Sequence, residues 1–170
     1  MTQIKVKQLN ENATIPTRAH TDDAGLDLYT PIDVILPPNQ VVKIPLGIAI
    51  EIPTGFVGMI CDRSSMALKG VKTLGGIVDA GYRGEVAAIL TNVTSQPITL
   101  TAKTKIAQML IMPVLLSPVV KVDLLSNSQR GDKGFGSTDI PKANTQEKAQ
   151  EDIEEETSYI KRIFDDIFSS

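Results

Sequence analysis

A few polar side chains in this 170-residue chain have types and settings suited to chemistry on phosphate. Asp27 lies two positions after Gly25 on a strand-like stretch, where a carboxylate can face a metal ion or its water shell. Arg63 and Ser64 open a short helix-forming run. A guanidinium offers a planar fork to phosphate oxygens, and a helix start adds backbone donors. Asp79 ends the apolar run Gly76-Ile77-Val78 and is expected to leave a strand inside the molecule. There a carboxylate can orient a water for in-line attack on phosphorus and act as the catalytic base. A metal, cationic donors and a positioned water are what a polyphosphate hydrolase needs. Each residue alone also has an ordinary reading: an exposed strand-end Asp, an N-cap Ser beside a surface Arg, a turn-forming Asp before Ala80-Gly81. Tyr82 by itself reads as packing and Gln108 as an ordinary strand residue. His20, the single histidine, falls in a polar loop, and Cys61 reads as a small buried hydrophobe on a strand. A Ser-His-Asp or Cys-His centre therefore has no support.

These residues must be carried by short strands. Ile4-Lys5-Val6-Lys7 alternates apolar and polar. The turn Pro37-Pro38-Asn39 separates strands expected over 33–36 and 40–44, and Pro53-Thr54-Gly55 separates 46–52 from 56–62. Further runs cover 85–93, 98–102, 105–114 and 119–125. Many short runs broken by Gly, Pro and Asn predict an all-β sandwich or barrel, with one short internal helix over 64–69. The tail differs. Asn144 with Glu147 resembles a capping box, and Ile160, Ile163, Phe164, Ile167 and Phe168 form one apolar helix face. The reading divides the chain into a β domain over 1–128, a mobile Gly-rich arm over 129–138 and an acidic helical extension over 139–170.

Composition narrows the function classes. Apolar residues make up 42% of the chain, with no Trp, three Tyr and four Phe, so the core rests on Val, Ile and Leu. One cysteine excludes an internal disulfide and a multi-cysteine zinc site. Residues 1–138 carry 13 basic and 11 acidic side chains, and residues 139–170 carry four and nine. A near-neutral body with an acidic tail argues against stable nucleic-acid binding, which needs a clustered basic stripe. No run has the apolar length to cross a bilayer, and the first ten residues do not read as a signal peptide. A soluble, cytoplasmic protein is expected.

Five stretches are far more specific together than any one alone: Ala24-Gly25-Leu26-Asp27-Leu28, Arg63-Ser64-Ser65-Met66-Ala67, Gly76 to Glu85, Ala107-Gln108-Met109-Leu110, and Arg130 to Thr138. Their order and spacing resemble the five motifs of the trimeric dUTPase family, over roughly residues 4–138. The resemblance implies a distorted jelly-roll subunit in a homotrimer, with sites built from neighbouring chains. It implies Mg²⁺-dependent hydrolysis of dUTP to dUMP and pyrophosphate, which keeps uracil out of DNA and supplies dUMP for dTMP synthesis. Asp27 would hold Mg²⁺ through bound waters, as suits an ion that keeps its hydration shell. Arg63, Ser64, Ser65 and Gln108 would contact the phosphates, with Ser64 at the oxygen bridging the α- and β-phosphates. Asp79 would also meet the 3′-hydroxyl, and Tyr82 would lie under the deoxyribose. The hairpin over 70–77, including Gly76 and Ile77, would read uracil. From the arm, Arg130, Ser137 and Thr138 would hold the γ-phosphate, and Phe135 beside Gly136 would stack on the base. Arg83 and Glu85 would be structural, as a pair between subunits.

The chain departs from the family's pattern at three places. Asp62 stands where a Pro usually precedes the Arg, and it would either weaken phosphate attraction or pair with Arg63. Thr73 stands near the position of a frequent Asn. Residues 139–170 extend past the usual end, where a helix would dock on the trimer, bind a protein partner or order only when bound. The nearest enzymatic rival is dCTP deamination on the same fold, but the chain offers no matching catalytic Glu. A regulatory binding role would be an addition to catalysis.

Overall fold

A computed structural model describes residues 3–128 and 131–132. The chain divides into two units, Met1–Val119 and Val120–Ser170, and the fold below is that of the first. It is nearly all strand, with one short helix. Eleven strands run in order: β1 (Lys5–Gln8), β2 (Leu26–Tyr29), β3 (Val34–Leu36), β4 (Val41–Pro45), β5 (Ile48–Glu51), β6 (Phe56–Cys61), β7 (Val71–Thr73), β8 (Ile77–Asp79), β9 (Ala87–Asn92), β10 (Ile98–Leu100) and β11 (Lys105–Pro113). Helix α1 (Ser64–Ala67) interrupts them after β6.

The strands form in the expected places because alternation sets their faces. Along β9 every second residue is buried, ending on Ala88, Leu90 and Asn92. The expected turns are present. Asn39 takes φ 56°, a left-handed conformation that Asn tolerates, and Gly55 takes φ 85°. The pairing is antiparallel. A four-stranded sheet runs β2-β11-β6-β8, a three-stranded sheet runs β4-β9-β7, and two pairs are β1-β5 and β3-β10. Leu28, Leu36, Ile44, Ile48, Ile50, Leu90, Ile106 and Met109 fill the core, each 1% exposed or less.

One expected strand is missing. Residues 119–125 show no strand. Val119 is 99% exposed, and Leu115 and Leu116 just before it are 90% and 71% exposed. An alternating apolar segment becomes a strand only where another strand pairs with it, and periodicity does not reveal whether that strand lies in the same chain. The expected C-terminal helix and its apolar stripe lie outside the described residues, as does most of the Gly-rich arm.

Asn92 is the polar exception inside the core, fully buried. Its Nδ2 donates to the carbonyls of Leu36 (2.9 Å) and Gln96 (2.7 Å), and its Oδ1 accepts from the amide and hydroxyl of Thr94. It thereby ties β3, β9 and the following turn together. Asn92→Ala leaves several buried groups unpaired and is expected to destabilise the protein by about 3 kcal/mol. Urea denaturation at fixed protein concentration reads this as a lower midpoint.

Candidate active site

Two clefts carry the candidate residues. The first, of about 370 Å³, is lined by Asp23, Gly25, Asp27, Arg63 and Gln108 among others. Its centre is Asp27, in the middle of β2 and 6% exposed. Asp27 Oδ1 pairs with Arg63 Nε at 2.8 Å, and Oδ2 pairs with Lys105 Nζ at 2.7 Å. A carboxylate this buried requires such partners. The hydrogen bond from Lys105 to Asp27 raises the Lys105 pKa above the ordinary 10.5, with partial burial working against it.

Lys105 was not legible as a site residue. In a regular strand, residues 105 and 108 would point to opposite faces. A register shift between Lys105 and Ala107 breaks the alternation, so Ile106 and Ala107 are both buried. Lys105 and Gln108 then both reach the Asp27 side. A β-bulge re-aims side chains in this way, and no residue type announces it.

Arg63 also donates from Nη1 to the Lys105 carbonyl (3.3 Å) and to Ser65 Oγ (3.4 Å). Its Nη2 has no hydrogen-bond partner among the described residues. Ser64 and Ser65 follow directly on α1, both exposed. Arg63 supplies no side-chain cap to α1, so the first amides of the helix lack an intrahelical acceptor. Gln108 donates to the Asp62 carbonyl at 2.8 Å. A Cβ at position 25 would displace the Gln108 amide, so Gly25 leaves room for that side chain in the cleft. Arg63 thus enters the cleft beside the Asp23 and Asp27 carboxylates, with Lys105 holding Asp27 from its other side.

The second cleft, of about 230 Å³, collects Gly76, Ile77, Asp79 and Tyr82, together with Lys43 and Glu85. Asp79 ends β8 as expected, but it is exposed rather than interior in the single chain. Because β8 pairs only with β6 and is the sheet's last strand, its end has no neighbour within this unit to cover it. The Asp79 carbonyl accepts from the Tyr82 amide at 3.0 Å, closing a turn, and its carboxylate accepts nothing from the described residues. Tyr82 is 45% exposed, and its hydroxyl donates to the Glu85 carbonyl at 3.0 Å. Gly76 takes φ 109°, and a Cβ there would lie 2.6 Å from the Ile60 carbonyl oxygen. Lys43, on β4, was not singled out from the sequence. It enters by the fold alone.

Arg83 and Glu85 have partners within the chain. Arg83 donates to the carbonyls of Ala80 and Tyr82, and Glu85 accepts from the Gly47 amide at 2.8 Å. Asp62 does not pair with Arg63. Its carboxylate binds Lys72 and Thr73 instead. Arg130, Phe135, Gly136, Ser137 and Thr138 lie outside the described residues.

The two clefts sit far apart on one chain. Asp79 faces Val57 near the start of β6, and Gln108 faces Cys61 at its end. Four residues of strand separate these levels by about 13 Å, and Arg63 follows beyond the end of β6.

Comparison with known proteins gives the class to which this all-β chain and its two clefts belong. A family profile described as dUTPase matches residues 11–139. The deoxyuridine 5′-triphosphate nucleotidohydrolase of Clostridioides difficile is 43% identical over 141 residues, covering 81% of this chain and 99% of the relative. That of Clostridium tetani (strain Massachusetts / E88) is 44% identical over 138 residues, covering 79% and 95%. Among solved structures, a Staphylococcus bacteriophage 80alpha dUTPase with dUPNHPP matches with a TM-score of 0.76 at 28% identity, covering 81% of this chain and 98% of that one. The chain belongs to the dUTPase family.

Burial pushes the Asp62 carboxyl up, but hydrogen bonds from Lys72 and Thr73 and the Lys72 charge outweigh it, so its pKa lies below the ordinary 3.8. A depressed carboxylate contributes stability above its unfolded value and loses it as pH falls through the folded one. Asp62→Asn should therefore melt below the wild type at pH 7, with the gap closing below about pH 4. Thermal melts between pH 2 and 7 read this directly.

Proposed function

We propose that this chain hydrolyses dUTP to dUMP and pyrophosphate. The observation that carries the reading is the cleft of Arg63 and Gln108 around Asp27 together with the Asp79 carboxylate, without a partner among the described residues, in the pocket of Tyr82, on a chain of this family. Asp79 orients a water for in-line attack on the α-phosphorus. Tyr82 lies under the sugar, and Ile77 and Gly76 belong to the segment that receives uracil. Arg63 and Gln108 take the phosphate oxygens, and Ser64 and Ser65 bring hydroxyls and amides to the leaving pyrophosphate. Arg130, Phe135, Gly136, Ser137 and Thr138 close over the nucleotide. The products serve nucleotide supply: dUTP is withdrawn from DNA synthesis and dUMP becomes available for dTMP.

Mg²⁺ fits this donor set in one way. Among the described residues there is no group of three or more His, Cys, Asp or Glu arranged to hold a metal, and Asp27 is already engaged by two cations. An ion would therefore come with the nucleotide, and Asp27 is the residue that would hold it, through its waters. When bound, it neutralises charge on the phosphates. A structure from phage phi11 of S. aureus, 25% identical with a TM-score of 0.68, is described as revealing the coordination of a structural Mg(II) ion in that dUTPase.

The separation along β6 supports a site shared between copies. The placement of Asp79 and Gln108 at opposite ends of β6 supports the reading that Asp79 and Arg63 of one chain serve different nucleotides. The exposed Leu115, Leu116 and Val119 support association as well, since apolar runs of this kind are covered in assemblies. A homotrimer with three shared sites accommodates both observations.

Pyrophosphate release with Mg²⁺ should be rapid for dUTP and slow for dCTP, dTTP and UTP. Asp79→Asn should lower kcat by about a thousandfold, and chelation with EDTA should suppress release. Absence of release from dUTP overturns the reading. Mixing tests the sharing. Asp79→Asn and Arg63→Ala proteins, each nearly inactive, should regain part of the wild-type rate when unfolded and refolded together. No recovery, with mixed oligomers verified by mass spectrometry, would place both residues in one chain's site.

A further inference from the structure

The two positions inside the family's motif region where this chain departs from the usual pattern touch each other. Asp62 Oδ1 accepts from the Thr73 amide at 2.7 Å and from the Thr73 hydroxyl at 2.5 Å. Its other oxygen pairs with Lys72 Nζ. Its main-chain carbonyl accepts from Gln108. Asp62 follows β6 in the four-stranded sheet, whereas Lys72 and Thr73 belong to β7 in the three-stranded sheet. One half-buried carboxylate thus joins two sheets at the end of β7, where the expected hairpin proves to be an open connection: β7 pairs with β9 and β8 with β6, not with each other.

The other end of that connection is fixed by backbone. The Ile60 amide donates to the Gly76 carbonyl at 2.8 Å, and the positive φ of Gly76 leaves no space for a Cβ against Ile60. The Leu74 amide donates to the Ile89 carbonyl at 2.8 Å, which holds the connection to β9 but not to β6. The Thr73 amide is engaged by Asp62 rather than by the ladder to β9. The opening between β7 and β8 is therefore set from the end of β6 on both sides: by Ile60 at Gly76, and by Asp62 at Thr73.

We propose that Asp62 is a positioning residue for base selection, its carboxylate fixing β7 against the end of β6 and so the width of the opening that admits the pyrimidine. It contacts no reacting atom. The proposal rests on the reading of residues 70–77 as the segment that receives uracil. Thymine differs from uracil by a methyl group, so an opening freed on the β7 side should discriminate less sharply against it. The argument applies to this chain in particular, because a Pro at position 62 has no side-chain acceptor for Thr73 or Lys72.

The test compares wild type, Asp62→Ala, Thr73→Val and the double variant. Steady-state kinetics on dUTP and dTTP are run beside amide hydrogen exchange of the nucleotide-free protein. Loss of a charge-assisted hydrogen bond predicts that Asp62→Ala raises KM for dUTP about tenfold. Its kcat should stay within about twofold, since a residue that only positions the ground-state site leaves the chemical step alone. The ratio of kcat/KM for dTTP to that for dUTP should rise about fivefold. Exchange should quicken at 73–76 and not in the core strands. Thr73→Val should move KM and exchange the same way by less, and the double variant should fall short of the summed effects. Unchanged KM, base ratio and exchange at 73–76 in Asp62→Ala overturn the proposal, as does quickened exchange throughout the chain with kcat and KM impaired together. If the wild type does not hydrolyse dUTP, the functional reading falls, while the exchange comparison still decides whether Asp62 holds this connection.

Discussion

The junction of β2, β6 and β11 depends on one carboxylate that has almost no water around it. Asp27 lies on a strand whose neighbours Leu26 and Leu28 point into the core, and its own side chain is closed off by Arg63 and Lys105. Burial of an unpaired charge is prohibitive, and removal of one partner from a buried pair is severely destabilising. The pairing therefore fixes three elements to one another: β2, the end of β6 where Arg63 emerges, and the bulged start of β11 where Lys105 sits. The same contacts that satisfy Asp27 hold both cations in place, and Arg63 makes its contact through Nε, which orients the guanidinium.

β6 sets the geometry of everything else. It pairs with β11 on one side and β8 on the other. Gln108 is registered at its far end and Asp79 near its beginning. A strand is stiff over this length, so the two levels keep their spacing. The same strand carries Asp62 just past its end, so a change at that position is transmitted both to the Gln108 amide, through the carbonyl, and to the β7–β8 connection, through the carboxylate.

Much of this was legible from residue types and order. The turns at Pro37-Pro38-Asn39 and Pro53-Thr54-Gly55, the short helix after Arg63 and most strands follow from local preference and alternation, which are properties of neighbouring residues. The family likeness was legible for a similar reason: motif residues are constrained by substrate chemistry and keep their order. Less legible were the partners. Asp62 was open to pairing with its neighbour Arg63, yet it reaches eleven positions along the chain to Thr73, because the end of β6 comes against β7 in the fold. Asp79 was expected inside, yet it lies exposed at the end of an edge strand. Residues 119–125 alternate as a strand does but find no partner strand here.

By itself, then, the sequence determined most of the strands and the short helix, which side chains are candidates for phosphate chemistry, and the family to which the chain belongs. These rest on short-range sterics, on hydrophobic periodicity and on the side-chain chemistry itself. Only the tertiary structure decided that Lys105 shares Asp27 with Arg63, that Lys43 enters the pocket of Asp79 and Tyr82, and that the two clefts are separated along β6. Such facts depend on strand register and on a single bulge. A register shift of one residue turns every side chain to the opposite face without changing any local preference, and that is why no pattern along the chain specifies it.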